Sequence, residues 1–225
     1  MSSPPAARRR TAAPSERVRV RRVHEKAAYE RDAVNAVLDE ALVAHLGFAH
    51  EGQPFVIPTL HARLGEEVYV HGSSASRTLR ALGGALPACL TVTLLDGLVF
   101  ARSVFEMSAN YRSVVVLGQA RAVTDPDEKL RALKAFSDQV LPGRWEAARK
   151  PTRQELKATA VLALPLDEAS AKLSSGGPDD GETEDAELPV WAGHLPLRLV
   201  AGDPVPCPHL RPGIPVPPEV ADYAR

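Results

Sequence analysis

The sequence predicts a mainly β fold, an antiparallel barrel with peripheral helices, and three observations carry that expectation. The strand-like segments follow one another with two-residue turns between them rather than helical crossovers. Only a few short stretches carry helical periodicity. Nine of the 20 prolines fall between 189 and 218, which leaves no regular element there except a short strand near Leu195 to Val200. Together these point to a barrel rather than an alternating β/α sheet. No internal repeat is visible.

Residues 1–20 are rich in Ser, Pro, Ala and Arg and read as a disordered basic tail. Asp32 is placed to cap a helix whose apolar residues Val34, Val37, Leu38 and Ala41 recur at i, i+3, i+4 and i+7. The period then changes. Leu42 to Ala49, Gln53 to His61 and Glu67 to His71 read as three strands of a meander, turned at Glu51-Gly52 and Gly65-Glu66. Ser73 to Leu82 reads as a short helix that begins in serines and stops at Gly83-Gly84. Ala88 to Leu95 and Tyr111 to Val123 are two further strands, the second with the run Val114-Val-Val-Leu117 expected of a strand buried on both faces. Thr124-Asp-Pro-Asp127 opens a helix with Leu130, Leu133, Phe136 and Val140 on one stripe, ended by Leu141-Pro-Gly143. Thr159 to Leu166 is the last clear strand. The resulting division is a tail (1–20), a barrel domain (21–173), an acidic flexible loop (174–188) and a proline-rich segment packing on the barrel (189–225).

Composition sets bounds on function. With 27 Lys+Arg against 28 Asp+Glu over 225 residues, the chain lacks the strongly basic character of a dedicated nucleic-acid binder. No apolar run is long enough to span a membrane, and the N-terminal arginines have no apolar stretch behind them. Cys89 and Cys207 lie far apart with no CxxC spacing, which argues for a reduced, cytoplasmic location. Cys89, inside an apolar run, reads as an inert thiol. The neutral sum hides a segregation: residues 1–31 hold nine basic and three acidic groups, and residues 174–189 hold six acidic groups and no basic one. Two readings are open, a solvated arm and a solvated loop, or contact between them.

Motif chemistry is mostly absent. There is no GxGxxG, GxxxxGK[ST], HExxH or GxSxG, and the five histidines of the first third (His24, His45, His50, His61, His71) follow no metal-ligand spacing. The informative stretch is Val68-Tyr-Val-His-Gly-Ser-Ser-Ala-Ser-Arg-Thr-Leu79, where a strand runs through glycine into hydroxyl side chains and one arginine at a helix start. Free N–H groups at a helix N-terminus, serine hydroxyls and a guanidinium suit a terminal phosphate. The same residues also suit an ordinary serine-capped helix with Arg77 in solvent.

Taken with Asn110-Tyr-Arg-Ser-Val-Val-Val-Leu-Gly118 and Trp191-Ala-Gly193, this stretch resembles the pyridoxamine-5′-phosphate-oxidase-like flavin-binding split-barrel superfamily. Within it, the chain is most similar to the flavin-nucleotide-binding proteins related to nitroimidazole-resistance reductases, over about Arg21 to Pro218. The resemblance implies a six-stranded antiparallel Greek-key split barrel and a homodimer with FMN at the subunit interface. It implies that Ser73, Ser76, Arg77 and Thr78 hold the phosphate, that Pro58, Thr59 and Leu60 run beside the isoalloxazine, and that His71, Ser113 and Trp191 lie at the cofactor. Trp191 could come from the other subunit. Arg112 is placed either at the flavin or in an interface ion pair. Where many relatives carry histidines before the Asn-Tyr-Arg-Ser run, this chain has Glu106 and Met107.

The implied activity is FMN-dependent hydride transfer from a reduced nicotinamide to a small organic acceptor, with the chemistry supplied by the flavin. No catalytic residue and no metal ligand is assigned. His61 and His71 are the histidines weighed as proton donors, against structural roles in their strands. The alternative is a non-catalytic flavin- or haem-binding carrier or sensor. Deazaflavin stands beside FMN as a cofactor, and a barrel without any cofactor serving as an interaction module is the remaining reading.

Overall fold

The structure is a computed structural model that describes residues 12–223, except the side chains of Arg77, Thr78 and Ala85. Its framework is one antiparallel sheet of nine strands: β1 (Ala27–Ala28), β2 (Val43–His50), β3 (Gln53–Leu64), β4 (Glu67–Ser73), β5 (Gly84–Phe100), β6 (Ser108–Ala122), β7 (Thr159–Pro165), β8 (Ala169–Ser174) and β9 (Gly193–Pro196). Six helices accompany it: α1 (Arg31–Glu40), α2 (Arg77–Gly83), α3 (Pro126–Val140), α4 (Arg144–Ala147), α5 (Arg153–Ala158) and α6 (Pro218–Ala221).

Local chemistry accounts for the meander. Glu51 and Gly52 both take positive φ (51° and 76°), the backbone twist that a two-residue hairpin requires, and β2 and β3 then pair without a break from His50↔Gln53 to Val43↔Leu60. Pairing closes six strands into a ring, β6-β7-β4-β3-β2-β5 and back to β6. The six-stranded split barrel expected from the sequence is therefore observed. The split has a definite place: β6 pairs with β7 only at Arg121↔Ala163 and Ala122↔Leu162, and from Tyr111 to Val116 it pairs with β8 instead. The first helix packs against β6 and β8 at that opening and sends the fully buried Val34, Val37 and Leu38 into the barrel core beside Leu46, Leu90 and Val116.

Several boundaries differ from expectation. Glu30, not Asp32, occupies the cap of α1, and Asp32 falls in its first turn, where a carboxylate meets the positive end of the helix dipole. Strand β8, Ala-Ser-Ala-Lys-Leu-Ser, has little intrinsic β preference and forms because β6 offers it an edge. Strand β5 runs five residues beyond Leu95, through an irregularity between Leu95 and Gly97. Gly97 is required there, because a Cβ would stand 2.8 Å from the carbonyl oxygen of Leu195 on β9. The run Val114 to Leu117 is buried on one face only: Val114 and Val116 point inward, whereas Val115 and Leu117 are half-buried.

The termini also depart from expectation. Residues 1–11 of the tail lie outside the described residues, but 12–20 are ordered on the barrel. Val18 is buried, Arg17 pairs with Glu168 at 2.7 Å, and Val20 N–H donates to the Tyr29 hydroxyl at 2.8 Å. The basic segment thus meets β8 and its approach, with Lys26 Nζ 3.0 Å from Ser174 Oγ, rather than the acidic loop. That loop is not wholly solvated. Asp180 is fully buried and accepts from the Arg102 backbone N–H at 2.6 Å and guanidinium at 2.8 Å, tying the loop to the end of the β5–β6 hairpin. The C-terminal segment meets the barrel through Trp191 on Phe100, through β9 and through the Leu197 N–H to Asp96 bond, and every residue from His194 to Val216 is exposed. Among the described residues no helix is long and apolar enough to cross a membrane, and no group of three His, Cys, Asp or Glu is arranged to hold a metal.

Candidate functional site

The outer wall of the barrel has two sides. Where β3 ends and β4 and β7 run, α3 lies across the strands. Asp125 caps α3 by accepting from the N–H groups of Asp127 and Glu128, and Ala132 and Phe136 pack on Ala62, Tyr69, Val161 and Ala163. Over the first half of β3 and over β2, β5 and β6 the wall is bare. Register places its side chains in rungs: Val56–Gly47–Cys89–Leu117, then Pro58–His45–Thr91–Val115. The same register carried two residues further gives Leu60–Val43–Thr93–Ser113. None of these twelve residues carries a formal charge, and Val56 is 68 % exposed. A continuous uncharged surface of this kind is a candidate binding face.

Beside it the barrel wall parts. The β3–β4 register ends at His61↔Val70, while β4 continues along β7 to Ser73↔Thr159. The chain then winds tightly into α2. Ser73 Oγ accepts from Ala75 N–H at 3.2 Å, Ser76 N–H donates to Ser73 O at 2.9 Å, and Ser76 Oγ caps α2 by accepting from Leu79 N–H at 3.4 Å. Against this turn lies a cavity of about 540 Å³ lined in part by Ser74, Arg80, Lys129 and Lys157. Among the described residues its lining holds three cations and no carboxylate, a field that favours an anion. Arg80 braces the turn by donating to Ala75 O at 2.9 Å, and Lys129 ties α3 to the end of α5 by donating to Leu156 O and Thr159 O at 3.4 and 3.0 Å.

The structure brings some of the sequence-selected residues together and separates others. Pro58, Leu60 and Ser113 all lie on the bare face, with Leu60 and Ser113 three strand spacings apart in one rung, about 14 Å. Thr59 points to the barrel interior and its hydroxyl donates to Leu60 O at 3.1 Å. Ser73 and Ser76 form the turn itself, while the side chains of Arg77 and Thr78 lie outside the described residues. His71 faces the other way. Its ring meets Phe136 beneath α3 at 4.3 Å between centroids, its Nδ1 is enclosed without a partner, and burial lowers its pKa. His61 points into the core, fully buried, with Nε2 2.9 Å from Leu38 O.

Arg112 points inward at the α1 end of the barrel. It donates to both carboxylate oxygens of Asp96 at 2.8 and 2.9 Å and also pairs with Glu40, which holds its pKa above the usual arginine range. Its guanidinium is thus engaged within its own chain. Trp191 leans on Phe100 at 6.1 Å between centroids and is 69 % exposed. Phe100 is seven residues along β5 from Thr93, about 23 Å, so one chain alone does not join Trp191 to the bare face.

Sequence reasoning passed over His45, Arg80, Lys129 and Lys157. His45 is the histidine that stands exposed on the bare face, between Pro58 and Thr91. Strand alternation was the available signal, since Leu46 beside it is a core residue. Lys129 and Lys157 come from separate helices and gave no signal, because only the packing of α3 and α5 against β7 brings them together.

A sequence model of the pyridoxamine 5′-phosphate oxidases matches residues 30–173. Among solved structures, the chain is 43 % identical to the flavocytochrome Anf3 from Azotobacter vinelandii, covering 95 % of this chain and 99 % of that one with a TM-score of 0.89. It is 40 % identical to the FAD and haem binding protein from Mycobacterium smegmatis, covering 88 % and 96 % with a TM-score of 0.83. A candidate 5-nitroimidazole antibiotic resistance protein from Bacteroides thetaiotaomicron shares the fold at 18 % identity, covering 65 % and 85 % with a TM-score of 0.56. No curated protein sequence matches the chain.

Proposed function

We propose that this chain, which belongs to the pyridoxamine 5′-phosphate oxidase family, is a flavin-binding redox protein that works as a homodimer, the flavin lying at the bare barrel face. The observation that carries the reading is the pairing of an uncharged face with a cation-lined cavity at the Ser73–Ser76 turn. A flavin has the matching parts: a flat, largely apolar ring system, polar atoms along one edge, and an anionic phosphate at the end of a ribityl chain. FMN and FAD share all three. Deazaflavin shares the ring and the tail.

When bound, the flavin supplies hydride acceptance and donation. The chain's own residues bind and orient. Pro58 and Leu60 offer an apolar strand edge, Thr91, Thr93 and Ser113 present hydroxyls from neighbouring strands, and Ser73, Ser76 and Arg77 are assigned to the phosphate. A second copy against the bare face would exclude water from the ring. The substrates that fit are a reduced nicotinamide as donor and a small organic molecule as acceptor. The test is the purified protein itself. It should be yellow, release FMN, FAD or deazaflavin on denaturation, as identified by chromatography and mass, and bleach when titrated anaerobically with NAD(P)H. A colourless protein that also fails to bind added FMN or FAD would remove the flavin assignment, and a flavin that NAD(P)H leaves oxidised would remove the nicotinamide step.

A second reading adds haem and makes the protein an electron carrier. The relatives at 43 % and 40 % identity are a flavocytochrome and an FAD and haem binding protein. The bare face also offers what a haem needs, an uncharged surface and, in His45, an imidazole exposed on it. A Soret band in the purified protein that disappears in His45→Ala supports this reading. Flavin absorption with no Soret band, even after haem is added, rejects it.

A further inference from the structure

The proline-rich arm has no place on its own barrel. After Leu197 N–H binds Asp96 O, the one backbone hydrogen bond before Pro217 among the described residues is the local Leu210 N–H to Cys207 O. Leu199, Val200, Val205, Ile214 and Val216 all stand in solvent, Val205 with 90 % of its surface exposed. Such a row of apolar side chains is costly for a lone chain to keep in water, at roughly 25 cal/mol for each Å² left uncovered. Seven prolines between 204 and 218 restrict the backbone, which runs without helix or strand through turns at 208–209 and 212–213, so less conformational entropy is lost when the arm is laid on a surface.

From this we infer that the arm, residues 198–217, docks on a second copy of the chain, across the part of the bare barrel face that the flavin proposed above leaves uncovered. The bare wall and the arm are two uncovered apolar surfaces of one molecule, and each matches the other in charge. The wall rungs carry no formal charge, and residues 198–217 hold only Arg198, Asp203 and Arg211. The arm also starts in the right place. It leaves β9, which is paired to β5, one of the four strands that make the wall. Its twenty residues would reach at most about 60 Å in polyproline geometry, less what the turns at 208–209 and 212–213 take up, whereas the radius of gyration expected for a chain of this length is about 17 Å. It therefore spans a neighbouring subunit. In a two-fold dimer the exchange is mutual, so each arm finds a wall and neither surface is left over.

The inference rests on the homodimer proposed above and is tested so that the two fail separately. Light scattering on the full chain reports the dimer, and a monomer overturns both. In a dimer assembled from ¹⁵N-labelled and unlabelled chains, benzophenone maleimide attached at neutral pH selects the exposed Cys207 of the arm, since burial pushes the Cys89 thiol up. After irradiation, cross-linked peptides should join opposite isotopes and end on β2, β3, β5 or β6. Cross-links confined to one isotope, or ending on α3 of the partner, overturn the docking with the dimer left intact. As an independent measure, the double substitution Val205→Asp, Ile214→Asp should raise the dimer dissociation constant at least tenfold with an unchanged circular dichroism spectrum. An unchanged constant overturns the role of the arm.

Discussion

The α3-covered side of the barrel and the bare side are built from the same kind of strand and differ in what lies over them. On the covered side small residues, Ala62, Val161 and Ala163, leave room for a helix to seat Phe136 and Ala132. Polar groups close the edges: Tyr69 donates to Glu67 and Glu128, and Arg121 bridges the same two carboxylates. Burial first and then those hydrogen bonds raise the pKa of Tyr69, and Arg121 lowers that of Glu128. On the bare side the rungs hold neither charge nor a covering helix. One face is finished within the chain, and the other is left open among the described residues.

The largest expected effect tests the finished face. Phe136→Ala empties a 5 %-exposed site and should cost about 3–5 kcal/mol of unfolding free energy in urea titrations. It should leave the wall rungs, and flavin titrated at low temperature, unaffected. If stability falls by less than about 1 kcal/mol, α3 is not what holds that side.

Val56→Glu tests the unfinished face. At an exposed position the folded monomer should change by no more than about 0.5 kcal/mol. A carboxylate brought into an apolar interface should weaken dimerisation by about 2–4 kcal/mol, read by analytical ultracentrifugation. Equal stability and equal dimer affinity would mean that nothing docks there.

Arg77→Ala probes the turn where the two sides meet. Loss of a charged hydrogen bond to a phosphate should weaken flavin binding by about 1.5–3 kcal/mol in calorimetry, and unchanged affinity would remove the phosphate assignment.

The smallest effect is a pH dependence on the covered side. Burial lowers the pKa of His71 below its ordinary value of 6.5, so between the two values the unfolded chain binds more protons than the folded one. His71 therefore contributes stability that is present above pH 6.5 and is lost as pH falls through that window. His71→Phe should flatten the decline in melting temperature between pH 7 and pH 5. An unchanged slope would place the titrating group elsewhere.

Much of this architecture was legible because its causes are local. Glu51-Gly52 announces a two-residue turn, Asp125-Pro126 a helix start, and Ser76 a cap. The pairing of a strand, a serine-rich turn and the Asn110-Tyr-Arg-Ser run led to the family before any coordinate. Other features were hidden for an equally physical reason. Asp180 looked like one of six solvated acids, and only the fold shows it buried against Arg102. His71 and His45 both alternate along strands, and sequence cannot say which outward face α3 will cover. The lysines at the cavity lie 28 residues apart on separate helices.

By itself, then, the sequence determined the chain order of the six barrel strands, the turns of the β2–β4 meander, the serine-rich turn and the family, because backbone geometry and capping are settled among neighbours. The tertiary structure alone decided which side of the barrel is sealed, that Arg112 is held by Glu40 and Asp96, that His45 rather than His71 faces the open wall, and that the proline-rich arm leaves its own barrel uncovered. Each of these depends on contacts between residues distant in the chain, which periodicity cannot register.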